Sequence, residues 1–170
     1  MLILLIVSVI SANRTLMYNA ELSLRTEALT ATATIANDLL DEILNKRFDQ
    51  FSDTTGTQSK YSFSPPTANG VEWGPSSAER AAAGAIDSSS VGLYRSILAF
   101  DDVDDYIGYI RMVTVNNISG FVARVTVFYV NSSAPDTPLT EQNTYKSVIV
   151  SVEHPLYLTE PIRYSTLISY

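Results

Sequence analysis

The first half-hundred residues combine two hydrophobic patterns in one uninterrupted stretch. Residues 1–10 (MLILLIVSVI) are apolar apart from one serine, so they have no polar side to expose to water. Beyond them, apolar residues recur with the spacing of one helix face, at Leu29, Ala33, Ala36, Leu40 and Ile43. Neither glycine nor proline occurs before residue 56. The pattern therefore predicts a single helix over about residues 2–48.

A helix of this length extends well beyond the rest of the chain. At about 1.5 Å per residue it is roughly 70 Å long, whereas the remaining residues form a domain only about 30 Å across. A protruding helix with an apolar end is not stable alone in water. It therefore requires a membrane or copies of itself.

The apolar start admits three interpretations. A simple membrane anchor fits poorly, because residues 1–10 reach about 15 Å, half of the roughly 30 Å hydrocarbon core. Extension of this stretch to Leu24 brings in Arg14 and Glu21. A removed signal peptide also fits poorly, because signal peptides carry basic residues ahead of the apolar run and this sequence has none there. The third interpretation, a helix that ends in a bundle formed between subunits, is favoured by the unbroken amphipathic pattern.

The C-terminal part has the pattern of a β-rich domain. Residues 52–90 are rich in Ser, Thr, Gly, Pro and Ala, and they predict a long connection that ends in a short helix at Ser77–Ala83. Turn signals then separate five predicted strands, at Val91–Ala99, Tyr109–Val115, Phe121–Val130, Tyr145–Glu153 and Ile162–Tyr170.

Alternation in the last predicted strand indicates a sheet with two different faces. Ile162, Tyr164 and Ile168 point to one side, and Arg163 and Ser165 point to the other. One face can lie on the helix, and the other can meet water or a neighbouring subunit. The expected fold class is α+β, with a protruding helix over residues 1–50, a loop region over 51–90 and an antiparallel β-domain over 91–170.

Composition narrows the classes of function. The chain of 170 residues carries 11 Lys and Arg against 18 Asp and Glu, a net charge of -7, which argues against a nucleic-acid partner because such proteins need clustered basic residues. The absence of cysteine excludes disulfides, thiolate zinc sites and thiol catalysis, and His154 is the only histidine. We therefore expect a structural or interaction protein without a cofactor, and not an enzyme.

The acidic run FDDVDDY is a candidate for chemistry. Asp101, Asp102, Asp104 and Asp105 place four carboxylates within five residues, and hard cations such as Ca²⁺ bind several oxygen ligands. The spacing does not match an EF-hand loop. The alternative is a solvated turn or helix N-terminus whose carboxylates pair with Arg95 or Arg111. The sequence therefore offers calcium candidates and assigns no firm metal site.

Three further positions have ordinary alternatives. Asn117 and Asn131 begin Asn-x-Ser motifs in predicted turns, so both are candidates for N-glycosylation, whereas the similar motif at Asn13 lies within the predicted helix. His154 precedes a proline at the end of a predicted strand, and we interpret it as a turn histidine.

The arrangement of residues 1–48, an apolar terminus that opens at residue 1 and runs into a long amphipathic helix ahead of a β-domain, resembles the bacterial type IV pilin-like proteins. The resemblance implies that a prepilin peptidase removes a short leader and that the inner membrane holds the helix before assembly. It further implies that pilus assembly machinery bundles the helices into the core of an extracellular, cell-surface homopolymer that serves adhesion, motility or surface interaction. The alternatives are a membrane-anchored surface binding module and a secretion-system pseudopilin.

Three features depart from that family. Leu5 stands where Glu is typical, Leu22 stands where a helix-breaking Pro is usual, and the usual cysteine pair is absent. Core packing must then depend on apolar contact, and the helix is expected to stay continuous through residues 14–24. The residues expected to pack the filament core lie on the apolar face of the helix: Leu4, Leu5, Val7, Leu16, Leu24, Leu29, Ile35, Ala36, Leu39, Leu40 and Ile43.

Overall fold

The computed structural model describes residues 1–49, 51–52, 63–65, 74–75, 79 and 99–170. Within them it contains the helix α1 (Leu2–Leu44), a 3-10 turn (Asp104–Tyr106) and the strands β1 (Ile110–Val115), β2 (Ile118–Tyr129), β3 (Tyr145–Glu153) and β4 (Ile162–Ser169). The predicted α+β class is confirmed. The strand predicted at Val91–Ala99 and the helix predicted at Ser77–Ala83 lie outside the described residues, except for Ala99 and Glu79.

The four strands form an antiparallel meander in the order β1-β2-β3-β4. Asn116 and Asn117 turn the β1–β2 hairpin with φ angles of 49° and 67°, the left-handed pair that a two-residue hairpin requires and that asparagine tolerates. Gly120, with a φ of 103°, absorbs a shift in register between these strands that follows Val113. The turn predicted between the strands at Tyr109–Val115 and Phe121–Val130 is therefore confirmed.

The C-terminal half of α1 covers one face of this sheet. Val148, Val150 and Val152 of β3 are fully buried on the face that meets the helix. Tyr164 of β4 packs on the same core and places its hydroxyl 3.4 Å from the hydroxyl of Thr32. The alternation predicted for β4 is confirmed, because every second residue of the strand is exposed.

The helix ends at Leu44, so the prediction that it extends to about residue 48 is wrong. Arg47 has left the helix and pairs with the acidic run instead: its backbone N–H donates to Asp101 O at 3.2 Å, and Val103 N–H donates to Arg47 O at 3.0 Å. This pairing connects two segments that are distant along the chain, so the local pattern of residues 45–48 contains no sign of it. Through residues 14–24 the helix is continuous in the single chain, and its continuity in an assembled filament stays a prediction.

Candidate functional site

The N-terminal half of α1 has no partner within the part of the chain that the structure describes. Every residue from 1 to 26 is exposed, whereas the half that begins at Ala28 buries side chains against the sheet. The exposed fraction is 76% for Leu4 and 68% for Leu16. An apolar surface of this extent is typical of a site that binds another molecule or a membrane.

The structure divides the residues expected to pack a filament core into two groups. Those that remain exposed are Leu4, Leu5, Val7, Leu16, Leu24 and Leu29. Those that are buried in the subunit's own core are Ile35, Ala36, Leu39, Leu40 and Ile43. The expectation that the second group contacts sister helices is therefore wrong. The physical reason is that the sheet of the same chain reaches this part of the apolar stripe first.

The helix is also long and apolar enough to cross a membrane, judged by its length and composition. The apolar window that meets this criterion is not buried within the structure. Membrane anchors and signal sequences share this position near the N-terminus, so the finding is compatible with membrane insertion.

The acidic run lies mostly inside the protein. Asp102, Asp104 and Asp105 are buried, whereas Asp101 is exposed and forms an ion pair with Arg47. The interpretation of this run as a solvated turn is therefore wrong for three of its four carboxylates. Of the suggested cationic partners, Arg111 pairs with a different carboxylate, and Arg95 lies outside the described residues.

Two of the buried carboxylates close the turn by binding its backbone. Asp102 Oδ1 accepts from the N–H groups of Asp104 at 3.0 Å and Asp105 at 3.2 Å. Asp105 Oδ2 accepts from the N–H groups of Asp101 at 2.8 Å and Asp102 at 3.2 Å. These bonds give the acids a structural role, because they satisfy backbone donors that would otherwise be buried without partners.

One group of carboxylates among the described residues could ligate a cation, and it contains two of the four calcium candidates. Oxygen atoms of Glu79, Asp101 and Asp105 lie within 4.8 Å of one another. The structure thus brings Asp101 and Asp105 together with Glu79, which local sequence pattern does not indicate because Glu79 lies far from them along the chain. Asp102 and Asp104 are not part of this group. Calcium binding stays a prediction.

A second polar cluster surrounds Lys146 of β3, which is fully buried. Its ammonium donates to Phe48 O at 2.7 Å, to Asp49 Oδ2 at 3.3 Å and to Asp104 Oδ1. The same ammonium lies 4.5 Å from the centroid of the Phe48 ring and 5.0 Å from that of Tyr129. The sequence gives no sign of this cluster, because a lysine in an alternating strand ordinarily faces water.

Asp49 links this cluster to another segment of the chain. Its Oδ2 accepts from the Tyr129 hydroxyl at 3.1 Å and from Ser64 N–H at 2.9 Å, and its Oδ1 accepts from Phe51 N–H at 3.1 Å. The chain after the helix is thus attached to the sheet by a buried charge. The polar atoms here are engaged with one another, which is typical of a structural network and not of a site for a substrate.

The acidic run and the Lys146 cluster together bury more carboxyl groups than ammonium groups. Burial and this excess of acids raise the pKa values of the carboxyl groups. Burial, followed by the charges of Asp104 and Asp105, raises the pKa of Asp102 to about 9. Burial raises the pKa of Asp105 to about 6. The pKa of Asp104 is also raised by burial, although Lys146 acts in the opposite direction. Asp102 is therefore a neutral carboxyl at pH 7.

A half-buried ion pair connects α1 with the edge of the sheet. Arg111 Nη2 of β1 donates to Glu42 Oε2 at 2.8 Å and Oε1 at 3.1 Å, and the Tyr106 hydroxyl donates to Glu42 Oε1 at 2.7 Å. Burial alone would lower the pKa of Arg111, but its hydrogen bonds to Glu42 and Tyr109 outweigh burial and raise it. Glu42 thereby fixes the helix against two parts of the domain.

His154 has a structural place in the turn after β3. Its Nδ1 accepts from the N–H groups of Leu156 and Tyr157, both at 3.2 Å, so the proton is assigned to Nε2, which donates to Ser119 O at 3.0 Å. The ring stacks on Tyr157 and contacts Phe121. The interpretation as a turn histidine is confirmed, and its side chain is buried.

The two glycosylation candidates lie in exposed turns. Asn117 is part of the β1–β2 hairpin turn, and Asn131 follows β2 and accepts from Asn143 Nδ2 at 3.2 Å. Their modification stays a prediction. Asn13 lies within α1, as expected.

The architecture, a long apolar N-terminal helix followed by an antiparallel sheet, is compatible with the pilin-like layout. Comparison of the chain with protein-family models, with curated proteins and with solved structures gives no match.

Proposed function

We propose that the protein is the structural subunit of an extracellular, type IV pilus-like filament. In this polymer the exposed N-terminal halves of α1 form a bundle, and the β-domains form the outer surface. The observation that carries the proposal is the segment from residue 2 to 26, which is helical and exposed on every side. The filament serves adhesion, motility or surface interaction and needs no catalytic residue.

Copies of the same helix are suitable partners for this segment. Burial of a leucine or isoleucine side chain contributes about 1.5–3 kcal/mol, so several such contacts per subunit offset the cost of association. Leu4, Leu5, Val7, Leu16 and Leu24 supply these contacts, and Leu29 extends them beside the sheet. Before assembly the inner membrane holds the same segment, and a prepilin peptidase and the pilus assembly machinery act on it.

A second candidate function is a membrane-anchored surface binding module, or a pseudopilin that forms only a short polymer. The observation that favours it is that α1 passes the length and composition criterion for a membrane span. In this case the segment stays in the bilayer and the domain acts as a separate unit.

Electron microscopy of the full-length protein after detergent removal tests the proposal. We expect fibres from the unaltered chain. Leu24→Glu places a charge in the bundle and should abolish the fibres, while it leaves the apolar start at residues 1–10 unchanged. The matched control is Leu156→Glu, because Leu156 is 75% exposed and lies in the domain.

Two results contradict the proposal. One is an unaltered protein that stays as dispersed particles at high concentration. The other is a Leu24→Glu variant that forms fibres as readily as Leu156→Glu does.

A further inference from the structure

The two arginines in the exposed half of α1 share one helix face. Arg14, Glu21 and Arg25 are separated by seven and four residues, which places them in one row along the helix. The same row continues through residues 28, 32, 35 and 39, which are buried against the sheet. Both arginines therefore lie on the side of the helix that carries the domain, but ahead of the point where the sheet begins.

Three acids lie on the other side of the C-terminal half. Glu27, Asp38 and Asp41 fall in a row with Thr34, and all four residues are at least partly exposed because they face away from the sheet. Among the described residues none of the three acids forms an ion pair.

The basic residues have little else to bind. Arg14 is exposed and forms no ion pair with any described residue, and Arg25 pairs only with Glu21 on the helix surface at 2.8 Å. Exposed pairs of this kind contribute little to stability, so Arg25 can exchange its partner at small cost. The helix thus presents a basic row, formed by Arg14 and Arg25, at one level. It presents an acidic row, formed by Glu27, Asp38 and Asp41, at another level.

The spacing within the two rows is the same, because the step from Arg14 to Arg25 equals the step from Glu27 to Asp38. The rise of one helix from Arg14 to Glu27 is about 20 Å. A second, parallel helix displaced by this distance therefore places its Glu27 beside Arg14 of the first copy and its Asp38 beside Arg25 of the first copy. This arrangement is the 14–27 register. It also puts Glu21 beside the uncharged Thr34, so no like charges meet.

Other registers match less well. A register that pairs Arg25 with Asp41 leaves Arg14 beside Thr30. A register that pairs Arg14 with Asp38 moves Arg25 past the end of the neighbouring helix. In the 14–27 register, Asp41 of the second helix lies beside Ala28 of the first, so the contact ends where the sheet of the first copy begins.

We infer that the exposed half of α1 binds a second copy of this chain, parallel to it and in the 14–27 register, through Arg14–Glu27 and Arg25–Asp38. The inference rests on the proposed function and specifies the contact between subunits. Each copy offers its basic row to one neighbour and its acidic row to another, which is a heterologous contact that repeats without closing. The charges select the register of this contact, because the apolar burial proposed above for residues 1–26 is non-directional.

Charge reversal tests the pairing in the full-length protein. Arg25→Glu and Asp38→Arg each set like charges together, so each should raise the critical concentration for polymerisation about tenfold. The double variant Arg25→Glu with Asp38→Arg should restore the unaltered value. Asp136→Arg, on an exposed loop of the domain, is the control and should leave it unchanged.

Cysteine cross-linking tests the register, and the absence of native cysteine makes it specific. Residues 21 and 34 of one chain are about 20 Å apart along the helix, too far for an internal disulfide. In a chain with Glu21→Cys and Thr34→Cys, oxidation should therefore join copies into covalent ladders. The control chain combines Tyr18→Cys with Thr34→Cys and should give no ladder. Those two positions face each other only in an antiparallel pair of helices, or in the parallel register that pairs Arg25 with Asp41.

The outcomes separate the two proposals. Three results overturn the inference and leave the filament proposal standing. They are fibres without a 21–34 ladder, fibres with an 18–34 ladder, and single charge reversals that assemble normally. An unaltered protein that forms no fibres overturns both.

Discussion

Asp102 and Lys146 hold positions in this protein that charged residues ordinarily avoid. Lys146 is fully buried and Asp102 is 3% exposed, and both lie beside further buried carboxylates. Each is retained because its polar atoms have partners: the ammonium binds Asp49 and Asp104, and the Asp102 carboxyl accepts two backbone N–H groups. Removal of one partner would leave a buried group unsatisfied, so the cluster is sensitive to single changes.

The protonation of Asp102 gives the protein a pH-dependent stability. Its pKa is about 9 in the folded protein against an ordinary value of 3.8, so the folded state binds more protons than the unfolded state between these limits. The free energy of unfolding therefore falls as the pH rises from about 4 to about 9. Asp105 adds to the same slope between 3.8 and about 6.

Asp102→Asn should flatten this dependence. The amide oxygen still accepts the two backbone N–H groups, and the side chain cannot ionise. At pH 9 we expect the variant to be more stable than the unaltered protein by more than about 1 kcal/mol. Urea unfolding of the full chain in mild detergent between pH 5 and 9 measures this, with Asp136→Asn as an exposed control. Equal slopes for the variant and the unaltered protein would refute the assignment.

At the scale of elements, burial divides the helix near residue 27. The C-terminal half belongs to the domain, where it packs on the sheet and is fixed by the Glu42–Arg111 pair. The N-terminal half continues the same helix, but among the described residues no strand lies beside it. One continuous helix therefore presents two surfaces, because apolar side chains do not specify which apolar partner covers them.

The Glu42–Arg111 pair should contribute measurably to the docking of the helix. Its side chains are only 18% and 25% exposed, and Arg111 Nη2 donates to both carboxylate oxygens of Glu42. A double-mutant cycle with Glu42→Ala and Arg111→Ala should give a coupling free energy of about 1–3 kcal/mol by chemical denaturation. The same cycle on Arg124 and Glu153, which are 51% and 38% exposed, should give less than about 1 kcal/mol. Equal coupling in both cycles would argue against a docking role.

At the scale of the whole molecule, the exposed helical half shares no buried contact with the domain among the described residues. No residue from 1 to 26 is buried there, so we expect the domain to gain little stability from them. Deletion of residues 1–26 should therefore give a monomeric protein without fibres. Its thermal unfolding midpoint should equal that of the full chain in detergent to within about 2 °C, a difference of less than about 1 kcal/mol. Light scattering and calorimetry measure these outcomes, and a clearly lower midpoint would show that the segment contacts the domain.

Much of the fold follows from local pattern in the sequence. The absence of glycine and proline before residue 56 indicates the helix, the Asn116-Asn117 pair indicates the hairpin, and the alternation in β4 identifies its buried face. The burial of Lys146 and of Asp102 does not follow in this way. Both depend on partners that are distant along the chain, such as Asp49 for Lys146, and local periodicity carries no information about such contacts.

The sequence alone determined that the chain has a long helix, with an apolar start and an apolar C-terminal face, ahead of an antiparallel sheet, since helix and strand periods are local properties. It did not determine which apolar residues of the helix remain available to another molecule. The tertiary structure decided this by placing the sheet over Ile35, Ala36, Leu39, Leu40 and Ile43 and leaving residues 1–26 uncovered. The physical reason is that apolar burial is non-directional, so only the three-dimensional arrangement shows which surface has been used.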